Sequence, residues 1–332
     1  MTTFADIFLR MANEVEVLDT HTFCHCQLGS FRWRSGQDET TQTGTLEGPP
    51  PDLWRFIYLH YHADDRAGVE ALRRWPRPVI SLTEREDPVF VDRLDAANQG
   101  EGFFDPGWEL TAIHGADVQV RRNSLTLRVS RNEWAGPSAS LGEKVSVRFP
   151  KAMRYAYPGC YLAIGNAGLC RWETDRAIRL YYAVADSDSA VSVMETLTRQ
   201  LNAHRVRFQI KTMNHPSQFR RRDNFVLYLP TDAWHLLREE FVAMHRATVA
   251  GHLRAEVPCF TLPIRRGWSF AEEPVHSSGM VSFGQHWAQL VAHGLFTAYR
   301  NGARSPEDRF ASISMSIQCA GLDIEHPYRN PL

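Results

Sequence analysis

The chain has 332 residues, 43% of them hydrophobic, enough to fill one large domain or two modest ones and too many for wholesale disorder. Lysine and arginine total 37 against 38 aspartates and glutamates, so net charge gives no argument for nucleic acid or an anionic membrane as partner. The opening MTTFADIFLRMANEVEV lacks a basic region followed by a long apolar run, and no segment reaches the length of a membrane span. The expectation is a soluble, cytoplasmic protein.

Phe4, Ile7, Phe8, Met11 and Val15 share one face and predict a helix over 3–19. Residues 29–50 are polar and end in EGPPPDLW, a stop followed by a new helix start. The aromatic PDLWRFIYLHYHA predicts a helix over 51–63, with another over about 64–73. PRPVISLTEREDPVFVDRL reads as a short strand and a helix. Beyond it, Trp108–His114, Asp117–Val120 and Ser124–Val129 favour strands joined by turns, and LTLRVS alternates cleanly. VSVRFP, YLAIGN and IRLYYAV add strands. Residues 187–203 supply a helix with Val191, Met194, Leu197 and Leu201 on one face. RVRFQIKTM and NFVLYLP are strands again, and helices follow from Thr231, from the capping pattern SFGQ at 282–285, and from SPED at 305–308. The fold class is therefore α+β: a mainly helical region over 1–100, then a body over 101–332 with a central, mainly antiparallel or mixed sheet and flanking helices.

Six scattered cysteines suit reduced thiols better than a disulfide framework. HTFCHC gathers His21, Cys24, His25 and Cys26, but its cysteines stand closer together than structural zinc sites use, and no second pair follows. Neither a metal nor a cofactor is expected. Phosphate-loop, zinc-helix and nucleophile-elbow motifs are missing.

The strongest chemical signal is RVRFQIKTMNHPSQFRRRDNFVLYLP, residues 205–230. Five arginines and one lysine fall between His204 and Asp223. As a strand, 205–213 would put Arg205, Arg207, Gln209, Lys211 and Met213 on one face. On solvent that face is ordinary. Over a cleft it forms an oxyanion pocket, because clustered cations need an anion between them. Arg154, Arg179, Arg220 and Arg222 could converge there, with Asp223 orienting one guanidinium. Arginine suits phosphate oxygens, whereas a lysine can also serve as a base when its pKa is lowered.

RYAYPGCYLAIGN, IRLYYAV, LTRQLN, the basic run, CFTLPIRRGWSFAEEP and the downstream SFG together resemble the HopA1-like family of bacterial type III effectors and their actinobacterial relatives. The resemblance covers roughly 150–300. It implies, through relatives tied to class V lanthipeptides and thioamide-containing peptides, work beside a separate phosphotransferase-like kinase on a ribosomal precursor peptide, leader and phosphorylated core. The kinase phosphorylates Ser or Thr, and the HopA1-like protein eliminates phosphate to leave dehydroalanine or dehydrobutyrine. The implied elimination and the residue pattern meet at Lys211 as the base, with Arg154, Arg179, Arg207, Arg220 and Arg222 as candidate phosphate ligands and His215, His204 or Tyr182 as candidate acids, none of them assigned. Phosphothreonine lyases place lysine and histidine two residues apart; here positions 209 and 213 are Gln and Met, so that pair is missing. The alternative is a noncatalytic effector or scaffold that binds a phosphorylated or acidic partner.

Overall fold

The computed structural model describes residues 3–33, 48–74, 86–136, 139–170, 176–274 and 281–330. Its centre is a seven-stranded sheet of β9 (Ala152–Tyr157), β10 (Cys160–Ile164), β11 (Ala177–Tyr182), β12 (Gln209–Met213), β13 (Phe225–Pro230), β14 (Leu262–Arg265) and β15 (Trp268–Glu272). The order is β14-β15-β11-β13-β12-β10-β9, and every pairing is antiparallel. The expected α+β class is therefore met, with the sheet antiparallel rather than mixed.

Strands β10, β11 and β13 are buried at every residue because helices cover both sheet faces. One layer contains α1 (Phe4–Glu14), α2 (Pro51–Ile57), α7 (Phe283–Arg300) and α8 (Pro306–Cys319), whose apolar sides pack with Tyr181, Val226 and Tyr228. The opposite layer contains α4 (Pro88–Ala97), α5 (Ser187–Ala203) and α6 (Thr231–Met244), packed with Ile178, Leu180, Tyr182, Ile210 and Leu227. Alternation along each strand divides the side chains between these two cores.

Several local predictions change for identifiable reasons. The first helix stops at Glu14, and Val15–Val17 becomes β1, pairing with β2 (Thr22–His25), which pairs with β3 (Gly29–Arg32). Valines at 15 and 17 bury on one side of that small sheet, a period of two that the helical pattern had absorbed. Helix α2 passes into a π-helical turn, Tyr58–Ala63, which closes at Asp64 in the left-handed region (φ 55°), before α3 (Arg66–Arg73). The strand expected near residue 80 lies outside the described residues. Helix α6 begins at Thr231, but its hydroxyl donates to the Arg176 carbonyl instead of capping the helix.

The change at 205–213 bears on function. Arg205 (φ 54°) ends α5: its N–H donates to the Asn202 carbonyl and that of Val206 to Leu201. These two bonds form a Schellman motif, with arginine in the position glycine usually takes. The strand consequently starts at Gln209, so Arg205 and Arg207 precede it.

Between α4 and β9 stands a separate five-stranded unit: β4 (Phe103–His114), β5 (Asp117–Arg122), β6 (Leu125–Ser130), β7 (Trp134–Ala135) and β8 (Lys144–Phe149), in the order β6-β5-β4-β8-β7. It folds around its own core of Trp108, Leu110, Val118, Val120, Val145 and Val147.

Candidate functional site

Directly opposed residues in an antiparallel sheet point to the same face. Lys211 on β12 stands opposite Leu162 and Val226, and Val226 opposite Tyr181. One step along, Gln209 faces Tyr228, which faces Arg179. Lys211 and Arg179 thus share the face beneath the N- and C-terminal helices, with Tyr228 on the strand between them.

Lys211 Nζ lies 5.4 Å from the centroid of the Tyr157 ring. Tyr157 reaches it from the end of β9, where the Pro158-Gly159 turn begins, Gly159 supplying a φ of 79°. Burial works against the charge of Lys211. The fields of Cys160, Tyr228 and Asp223 outweigh that penalty, so its pKa is raised above the ordinary lysine value even though Arg179 opposes it. Among the described residues, no carboxylate lies within ion-pair distance of this ammonium.

The neighbouring arginines are partnered. Arg179 makes a two-pronged ion pair with Glu273, and its guanidinium carbon lies 5.1 Å from the Tyr228 ring centroid. Arg221 is the guanidinium that Asp223 orients: its Nε is 2.9 Å from Oδ1 and its Nη2 3.0 Å from Oδ2. It also reaches Tyr58 Oη at 2.8 Å and Asp65 Oδ2 at 3.2 Å, while Tyr58 donates to Asp223 at 2.5 Å. Arg222 pairs with Asp64 at 3.0 Å, and its N–H donates to the Ala63 carbonyl. The RRRD segment is therefore clamped to the π-helical turn. Burial raises the pKa of Asp223, but Arg221, by charge and by hydrogen bond, outweighs that and holds it well below the carboxylate range.

His62, from the same turn, is fully buried between Tyr58 and Phe260, and its Nδ1 has no hydrogen-bond partner among the described residues. Burial depresses its pKa to about 4; Asp223 pulls up, while Arg221, Arg179 and Arg222 push further down. A histidine depressed on folding contributes stability above its unfolded pKa that is lost as pH falls from about 6.5 toward 4. His62→Phe is expected to flatten that part of the curve by up to about 3 kcal/mol, read as chemical denaturation at both pH values. An unchanged slope would detach His62 from the acid limb.

Gly284, the second residue of α7, makes this packing possible. A Cβ there would lie 2.4 Å from His62 Cδ2 and 2.9 Å from Tyr58 Cε2. The stacked ring has no room to yield, so Gly284→Ala should lower stability by about 1–3 kcal/mol in denaturant titration.

The other nominated residues take positions and partners of their own. Tyr182 belongs to the opposite core, stacked on Trp268 with ring centroids 5.9 Å apart, because it is one residue out of phase with Tyr181. Arg154 pairs with Asp92 of α4, in the layer that covers that same far face. His204 caps α5 and pairs with Glu240 of α6 at 2.7 Å. His215 caps a short 3-10 turn, its Nδ1 accepting from the Ser217 N–H at 3.2 Å. Arg220 is exposed at the end of that turn, and Arg207 is half-buried before β12. The sequence reading missed Tyr157, Tyr228, Tyr58, His62 and Glu273. The aromatic run at 54–62 and the acidic pair in FAEEP carried the available signal.

The HTFCHC motif resolves differently from a cysteine site. Ligand atoms of Glu14, His25 and His60 lie within 4.8 Å of one another. However, His25 Nδ1 accepts the Gln27 and Leu28 N–H groups, each at 3.2 Å, so its Nε2 carries the proton and points toward Glu14. Metal ligation through Nε2 would require an imidazolate, because a ligating histidine normally carries hydrogen on its other nitrogen. Glu14 is also engaged by Arg10 and Tyr61. The donor set does not fit a resident cation.

Comparison with known families matches residues 153–329 to the HopA1 effector protein family. Among the solved structures that resemble the chain are two effector proteins from Pseudomonas syringae. That of pathovar tomato strain DC3000 is 15% identical, with a TM-score of 0.47, over 89% of this chain and 94% of that one. That of pathovar syringae strain 61 is 15% identical, with a TM-score of 0.43, over 74% and 81%. No curated protein matches.

Proposed function

The chain belongs to the HopA1 effector protein family, and from that premise we propose that it is a phosphoserine/phosphothreonine lyase. Its substrate would be a ribosomal precursor peptide already phosphorylated by a separate kinase. The observation that carries the reading is Lys211: a largely buried amine, held charged, with an aromatic ring and no carboxylate ion pair beside it among the described residues. A buried cation without a counter-ion is costly, and an arriving phosphate supplies one.

In the reaction, Lys211 first gives its proton to solvent and, as the neutral amine, takes the one on Cα of the phosphoresidue. The Cα–H electrons form the Cα–Cβ double bond as the Cβ–O bond breaks, and phosphate departs with the former bonding pair. Arg179 stabilises charge growing on phosphate, with Glu273 fixing its guanidinium plane. Arg207, before β12, and Arg222, on leaving its Asp64 partner, would add their charge only once the phosphopeptide is bound. The Tyr157 and Tyr228 phenols beside Lys211 take over the acid's place from Tyr182.

The test is incubation with kinase-phosphorylated precursor, read by mass spectrometry. Loss of phosphoric acid from the modified residue is the expected result. Tight binding with the phosphate intact would instead assign a noncatalytic scaffold.

A further inference from the structure

We propose that β6 is a docking strand for an extended polypeptide segment of alternating apolar and acidic residues, which adds to the five-stranded sheet as a sixth strand. The site is separate from Lys211 and does not depend on the lyase reading.

All six residues of β6 pair with β5, from Asp117 opposite Ser130 to Arg122 opposite Leu125. Its other side pairs with no strand among the described residues, so alternate N–H and C=O groups face outward. Proteins usually blunt such an edge with proline, lysine or a bulge. Residues 125–130, LTLRVS, contain neither residue, and the bulges of this sheet fall on β4. The opposite edge, β7, is only two residues long.

The side chains specify the occupant. Leu125, Leu127 and Val129 lie on the face that carries the unit's core, because Leu127 opposes Val120 and Val129 opposes Val118. Val129 is buried, Leu127 half-buried and Leu125 53% exposed, so the apolar face is unfinished along its margin. On the other face, Arg121 opposes Thr126 and Gln119 opposes Arg128. Arg128 pairs with Asp117, but its side chain is 70% exposed against 34% for the acid. Arg121 likewise stands farther out than its partner Glu109. Cations therefore border the polar side of the edge and leucines its apolar side. An added strand meets both when its residues alternate in the same way, the mode known as strand addition. The whole unit, residues 103–149, precedes the segment matched by the family, consistent with a recognition task of its own.

The probe is a fluorescent, unphosphorylated eight-residue peptide alternating valine and glutamate, titrated against the full chain by anisotropy. Saturable binding is expected, weakened at least tenfold by Leu125→Asp and by Arg128→Glu, with both variants retaining wild-type circular dichroism. N-methylation of the peptide's alternate amides should abolish binding for the register that faces β6. Lys211→Ala should leave it unchanged, which separates failure here from failure of the lyase reading. No saturable binding, equal binding by both N-methylated registers, equal binding by a valine–lysine peptide, or undiminished binding by both protein variants would overturn the proposal.

Discussion

Lys211→Ala is expected to abolish phosphate release while leaving the fold intact. Removing a positioned base costs roughly a hundred- to ten-thousand-fold in rate. The ammonium makes no carboxylate ion pair among the described residues, so its loss should change stability by only about 1 kcal/mol or less. Lys211→Arg distinguishes base from anchor. Guanidinium retains the charge that draws phosphate but does not surrender a proton, so this variant should bind phosphopeptide and release nothing. The raised pKa makes Lys211 a stronger base that is rarely neutral, and kcat/KM should therefore climb with pH across the alkaline range. Phosphate release by Lys211→Ala at the wild-type rate would remove the residue from the mechanism. A profile that falls on the alkaline side would make it the anchor.

Asp223→Ala should be the most damaging change to stability outside the apolar cores. It would leave Arg221 largely buried with only Asp65 and Tyr58, and would take from Tyr58 the acceptor of its hydroxyl. Breaking a buried ion pair on one side costs about 3–5 kcal/mol, with the retained Asp65 contact favouring the lower end. The double variant Arg221→Met/Asp223→Leu removes both charges and should recover most of the loss in a denaturant titration. If the double change is worse than the single, the network does more than balance its own charge. Because Asp223 also raises the pKa of Lys211, the single variant should shift the alkaline limb of the rate profile toward lower pH.

Much of the body was legible because its periodicities were undisturbed. The helix at 187–203 falls where Val191, Met194, Leu197 and Leu201 place it, and SPED and SFGQ start helices through Ser305 and Ser282 caps. The relation of Lys211 to Arg179 could not be read from one strand. It depends on β13 lying between β12 and β11, a nonlocal pairing with no trace in local sequence. Tyr181 and Tyr182 show the same limit: on a strand buried on both faces, neither residue carries a mark of which core it enters. Arg205 misled for a local reason, since a non-glycine residue in the left-handed conformation looks like the start of an alternating strand. The tie between RRRD and the turn at 58–65 spans more than 150 positions in the chain.

The five-stranded unit leaves the main body and returns to it at adjacent points, with Phe103 directly opposite Phe149. A segment whose two ends already touch can be lengthened, shortened or exchanged with little penalty to the host, since loop closure changes by only about 0.6 kcal/mol per doubling of length. Exchanging residues 103–149 for a short linker should therefore leave the seven-stranded sheet folded.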